Sequence, residues 1–157
     1  MKNLILTLAA AATLLMTANT RPCLAQTAAT STNVLTAGPT YTLTVVIQNV
    51  SKRTGKIRLG LANDAASFDG ESFRTQIVDI PASGDLVVTF DSLVAGRYAV
   101  RLYQDLNGNE KIDFNGPMPA EPFGFSNVTM LMGPPNFGQC AFDLAENKRI
   151  PVSLIEM

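Results

Sequence analysis

Between residues 97 and 103 the chain alternates strictly: Tyr98, Val100 and Leu102 fall on one side, Arg97, Arg101 and Tyr103 on the other. A pattern of period 2 can bury its apolar members together only as an extended strand with one face against a core. The same period runs through Tyr41, Leu43, Val45 and Ile47, through Ile57, Leu59 and Leu61, and through Leu86, Val88 and Phe90. Residues 74–80, 140–144 and 150–155 read as further strands, making seven in all. The polar stretch 49–55 predicts a turn that sets the second strand antiparallel to the first, and 92–96 predicts another turn. Residues 63–73 have room for one helical turn, and no amphipathic run after the first 25 residues is long enough for a helix of ordinary length. Short strands at this spacing predict an all-β fold, an antiparallel β-sandwich of immunoglobulin-like or transthyretin-like form.

The N-terminus predicts export. Lys2 precedes an apolar run from Leu4 to Met16, and Cys23-Leu24-Ala25 offers small residues at the cleavage-critical positions. The run is shorter than the roughly 20 residues needed to span a bilayer. Thr20-Arg21-Pro22 does not suit lipid attachment at Cys23, so cleavage after Ala25 is expected. That assigns residues 1–25 to a signal peptide, 26–40 to a flexible polar leader and 41–157 to one β-sandwich domain, with the protein in the periplasm or outside the cell. Loss of Lys2 and Arg21 takes the basic count from 12 to 10 against 13 acidic residues, a net charge of −3. Nucleic acid and, after cleavage, anionic membrane are therefore excluded as partners, and an extracytoplasmic ligand or protein is expected instead.

The residue types that are missing narrow the chemistry. Histidine is absent, which removes His-assisted nucleophiles and His-based zinc sites. Tryptophan is absent as well, which weakens an aromatic-platform sugar site. Cys140 has no partner once Cys23 has left, and its place in an expected strand predicts a buried, inert thiol.

Residues 105–139 break the strand rhythm with Pro117, Pro119, Pro122, Pro134 and Pro135. Irregular stretches beyond about 12–15 residues are uncommon in compact domains and tend to be functional or disordered. Phe114, Met118, Phe123, Phe125 and Phe137 argue for an ordered excursion, with a short strand at 127–132. Its aromatics Phe123, Phe125 and Phe137 either present a recognition surface or fold down over a sheet edge. Its first part, Asp105-Leu-Asn-Gly-Asn-Glu-Lys-Ile-Asp113, admits two readings. The side chains of Asp105, Asn107, Asn109 and Asp113, the Lys111 carbonyl and Glu121 could wrap calcium weakly. The same residues equally suit a solvated hairpin tip. Glu110 stands where an EF-hand loop needs glycine, and Gly116 where it needs a bidentate glutamate. Asp113 and Glu121 could also form a carboxylate pair for hydrolysis of an envelope or extracellular polymer. The sequence reading favours a non-catalytic binding or accessory module over that hydrolase, with no catalytic residue and no cofactor except calcium.

Ser92-Leu-Val-Ala-Gly-Arg-Tyr-Ala-Val100, Tyr103-Gln-Asp-Leu-Asn-Gly-Asn-Glu-Lys-Ile-Asp113, Pro119-Ala-Glu-Pro-Phe-Gly-Phe-Ser-Asn127 and Gly133-Pro-Pro-Asn-Phe137 follow one another in a fixed order. That order resembles domain-of-unknown-function family 2141, a group of exported bacterial proteins. The resemblance implies an exported β-sandwich and carries no activity, substrate or catalytic residue. The family commonly has glycine after the second Asn of the loop, where this chain has Glu110.

Overall fold

A computed structural model describes residues 38–157, so the expected signal peptide and most of the leader lie outside the described residues. The strands are β1 (Thr40–Gln48), β2 (Lys56–Ala62), β3 (Arg74–Asp79), β4 (Leu86–Val94), β5 (Gly96–Asp105), β6 (Phe114–Asn115), β7 (Met118–Pro119), β8 (Phe123–Phe125), β9 (Phe142–Leu144) and β10 (Lys148–Ser153). Two single-turn helices, α1 (Ala65–Asp69) and α2 (Phe137–Cys140), interrupt them. No helix among the described residues is long and apolar enough to cross a membrane.

The alternating residues build two sheets. One has three strands in the order β10-β1-β4; the other has the order β3-β2-β5-β8, with β9 also on β5. Leu43, Val45 and Ile47 of β1 and Val88 and Phe90 of β4 face Ile57, Leu59 and Leu61 of β2 and Val100 and Leu102 of β5 across one core. All of these are buried, as expected for a sandwich whose strands each give one face to the interior. β8 and β9 lie end to end along the same edge of β5, against Arg101–Tyr103 and Gly96–Tyr98 respectively.

Five details differ from the sequence reading. First, β1 and β2 are not hairpin partners: β1 bonds β4 and β10, while β2 bonds β3 and β5. The 49–55 connection crosses between the sheets, where Gln104 Nε2 donates to the carbonyls of Lys52 (2.7 Å) and Thr54 (2.8 Å). Second, β10 runs parallel to β1, with Val45 opposite Ile150, so the three-stranded sheet is mixed. Alternation in a sequence reports which face is buried and is silent on strand direction. Third, the strand expected at 127–132 is a turn with a single bridge, Phe125 to Val128; Asn127 has a φ of 59°, a left-handed backbone that ends β8. Fourth, Cys140 closes α2 and the strand begins at Phe142. Asn136 caps that helix by accepting from the Gln139 N–H, while the Gln139 side chain accepts from the Asn136 N–H. This capping box outweighs the β-pattern of the following residues. The turn expected at 92–96 shrinks to Ala95, because β4 continues to Val94.

The C-terminal tail locks the layers together. After β10, the Leu154 N–H donates to the Gln48 carbonyl, and Ile155 exchanges hydrogen bonds with Phe123 of the opposite sheet. Gly124 lies under this crossing: a Cβ there would stand 2.5 Å from the Ser153 carbonyl oxygen and 3.3 Å from Val152 Cγ1. Gly124→Ala must therefore push β8 away from the tail. Overpacking of this kind costs about 1–3 kcal/mol. Urea unfolding should show a lower midpoint at unchanged slope, and an unaltered midpoint would contradict this packing.

Candidate functional site

Apart from Lys56 and Arg97 at the strand ends, the outward residues of β2 and β5 do not face open solvent. Arg58, Gly60 and Ala62, with Ala99, Arg101, Tyr103 and Asp105, form an outer face of the larger sheet that α1, α2 and the long excursion cover. At one end Ala62, Ala99, Phe68 and Cys140 pack into a second small core, with Phe125, Val128 and Phe137 against it. Phe68 lies 6.0 Å from Phe125 and 6.3 Å from Phe137, ring centre to ring centre.

Ser126 and Asn127 fasten this cover. The buried Ser126 hydroxyl accepts from the Val100 N–H (2.9 Å) and donates to the Cys140 carbonyl (2.6 Å), tying β5 to α2. Asn127 Nδ2 donates to the Ala141 carbonyl at 2.8 Å. Burial pushes the Cys140 thiol up to about 11, so it stays protonated at neutral pH and is a poor nucleophile.

At the other end the Asp105–Asp113 loop is held by its own side chains. Asp105, almost fully buried, accepts from the Gly108 N–H (2.7 Å) through Oδ1 and from the Glu110 N–H (3.0 Å) through Oδ2. Arg58 Nε donates to the same Oδ2 at 3.1 Å. Glu121, also buried, accepts from the Leu106 N–H (2.8 Å) and the Asp113 N–H (3.2 Å). Asn107 Oδ1 takes the Asn109 N–H, and Asn109 Oδ1 takes the Lys111 N–H. These two bonds orient both amides, whose Nδ2 groups donate to the Asp113 carboxylate. The structure thus brings Asp105, Asn107, Asn109, Asp113 and Glu121 into one network, with Lys111 on its exposed side. Among the described residues no three Asp, Glu or Cys side chains converge.

Glu110 has a φ of 68°, the left-handed region in which glycine is free of strain and a side chain costs of order 1–3 kcal/mol. Its carboxylate reaches Arg58 Nη2 at 3.0 Å but is largely exposed, so that pair offsets little.

Between these two fastened ends lies a cleft of about 950 Å³. Its floor is the sheet face, with Arg58, Gly60, Arg101 and Tyr103. Its walls come from the excursion, chiefly Ile112, Phe114, Met118, Phe123, Phe125 and Leu131. Any Cβ at Gly60 would run into Ser72 and the Arg101 guanidinium, so glycine there lets arginine lie across the sheet. Arg101 Nη1 donates to the Phe68 carbonyl at 2.5 Å, and Nη2 to the Gly70 carbonyl and Ser72 Oγ. The Tyr103 hydroxyl donates to the Glu110 carbonyl at 2.8 Å, and burial pushes its phenol above the ordinary value.

Of the loop aromatics, Phe123 and Phe125 line the cleft while Phe137 serves the small core. Sequence reasoning missed Arg58, Arg101 and Tyr103 as site residues. The available signal was that two neighbouring strands carry their polar residues on one face, beside an excursion rich in apolar anchors.

The fold and site define an all-β protein of two packed sheets, the larger roofed on its outer face by an excursion that holds the small β6-β7 pair. The model of the family described as "Uncharacterized protein conserved in bacteria (DUF2141)" matches residues 45–151. The chain belongs to that family. No match was found among curated proteins or among solved structures.

Two outcomes follow from these contacts. Burial pushes the Asp105 carboxyl up, but the Gly108 and Glu110 N–H groups and the Arg58 guanidinium more than offset this, leaving it below its ordinary value. Its contribution to stability is therefore complete above the unfolded-state value and disappears as pH falls through the depressed folded value. Asp105→Asn should flatten the acid limb of the stability curve, and an unchanged limb would contradict the assignment. Cys140 should resist alkylation in the native protein and react at once in denaturant; rapid native labelling would contradict its burial.

Proposed function

We propose that this protein is an exported, non-catalytic binding module whose ligand occupies the cleft between the larger sheet and its roof. The carrying observation is the cleft itself. About 950 Å³ lies within the range of small-molecule sites, and its lining combines apolar walls with a few placed polar groups. Phe114, Met118 and Met157 add exposed apolar surface at its rim, where unburied apolar side chains are informative.

The non-catalytic reading is supported by what the acids are doing. Both oxygens of Glu121 accept backbone N–H groups, and Asp113 is tied to two asparagine amides. Carboxylates held in this way serve the loop. We read the Asp105–Asp113 loop as complete without calcium on the same ground, since each proposed side-chain ligand already has N–H partners. Export rests on the basic, apolar and small-residue order of the first 25 residues.

A neutral environment-sensitive dye such as N-phenyl-1-naphthylamine should bind the purified protein and brighten. Met118→Asp and Leu131→Asp, which place a charge on the apolar walls, should weaken it by roughly tenfold or more without loss of fold. No dye binding, or equal binding by both variants, would contradict the cleft. Thermal melts with millimolar calcium and with chelator should coincide; a calcium-dependent rise that Asp113→Asn removes would instead establish a cation site.

A further inference from the structure

The charged groups lining the cleft are unequal. Arg58, Arg101 and Lys111 are there, with Glu110 as the single acidic side chain, in a chain whose overall charge is −1. Arg58 is already neutralised between Asp105 and Glu110. Arg101 is different. Its partners are two carbonyls and a hydroxyl, and no carboxylate lies within ion-pair distance among the described residues. Neutral acceptors fix the orientation of a guanidinium but leave its charge uncancelled. The amine of Lys111 likewise has no acidic partner among the described residues.

A partly desolvated cation beside apolar walls is best satisfied by an anion that carries its own apolar body. We infer that the cleft takes an amphipathic carboxylic acid, with its carboxylate at Arg101 and its hydrocarbon chain against Phe123, Phe125 and Leu131. Phe123 and Phe125 stand 5.9 Å apart, edge to face, on the strand next to β5, with Phe125 opposite Arg101 in register. Lys111 adds a second positive charge to the same lining. This inference rests on the reading of the cleft as a ligand site.

The test is displacement of N-phenyl-1-naphthylamine from the intact protein by a homologous series of straight-chain carboxylates. Alcohols and alkyltrimethylammonium ions of matching length run beside them. Carboxylates should displace the dye, with affinity rising about fourfold for each methylene added. Alcohols should be roughly tenfold weaker, as loss of a charge-assisted hydrogen bond predicts, and the ammonium ions weaker still. Arg101→Met should bring carboxylates down to the level of alcohols of the same length. Because Arg101 also holds the Phe68–Ser72 backbone, Lys111→Glu on the exposed loop is the companion variant and should weaken carboxylates several-fold relative to alcohols of the same length.

Dye binding that no carboxylate displaces, or equal displacement by carboxylate and ammonium, would overturn the acid assignment and leave the cleft standing. Absence of dye binding would remove both. Uptake by phosphatidylglycerol vesicles without competition from free acids, or dye binding lost on dimer formation, would give the cleft to a membrane surface or to a second copy and would also overturn it.

Discussion

Two buried carboxylates decide where the long excursion goes. An irregular segment must satisfy each backbone N–H it takes out of water, and the residues after β5 have no neighbouring strand to do so. Asp105 meets the N–H groups of Gly108 and Glu110; Glu121 meets those of Leu106 and Asp113. Arg58, reaching up from the middle of the outer face of β2, donates to Asp105, offsets its charge and ties the loop to the sheet beneath it. With its start fixed there and its middle fixed to residues 140 and 141 by Ser126 and Asn127, the segment between arches over the sheet. The cleft is the space under that arch.

The order of motifs that marks the family is thus, in this chain, largely an order of fasteners. Tyr103 and Asp105 pin the beginning of the excursion, and Gln104 between them points to the other face and pins the connection from β1 to β2. In Gly124-Phe-Ser-Asn127, glycine makes room for the C-terminal tail, phenylalanine faces the cleft, serine bridges to α2 and asparagine turns the chain. Asn136 then starts α2, which carries Cys140 into the small core. Such residues position a site; its chemistry depends on what they leave open, above all the uncancelled charge of Arg101.

The sandwich was legible because burial writes a period-2 pattern: the inward residues of β1, β2, β4 and β5 are those the alternation marked. Strand partnership was not legible, because the same pattern serves a hairpin and a crossover equally. Hence β2 was expected beside β1 and lies in the opposite sheet, and the parallel direction of β10 left no trace in its sequence. The loop Asp105–Asp113 was visible as a cluster of oxygen ligands, but those oxygens could face a cation or the loop's own N–H groups, and spacing alone does not distinguish them. The cleft was invisible because Arg58 and Arg101 look like ordinary solvent-facing residues until a distant segment is laid over them.

Residue-resolved amide hydrogen exchange of the unliganded protein bears most directly on the carboxylate anchors. The Leu106, Gly108, Glu110 and Asp113 amides should be protected although they lie outside regular sheet, and Asp105→Ala should release Gly108 and Glu110 together while the β1 and β4 amides keep their protection. Exchange of all four at free-chain rates in the unaltered protein would mean that the arch is not held, and with it the account of the cleft would fail.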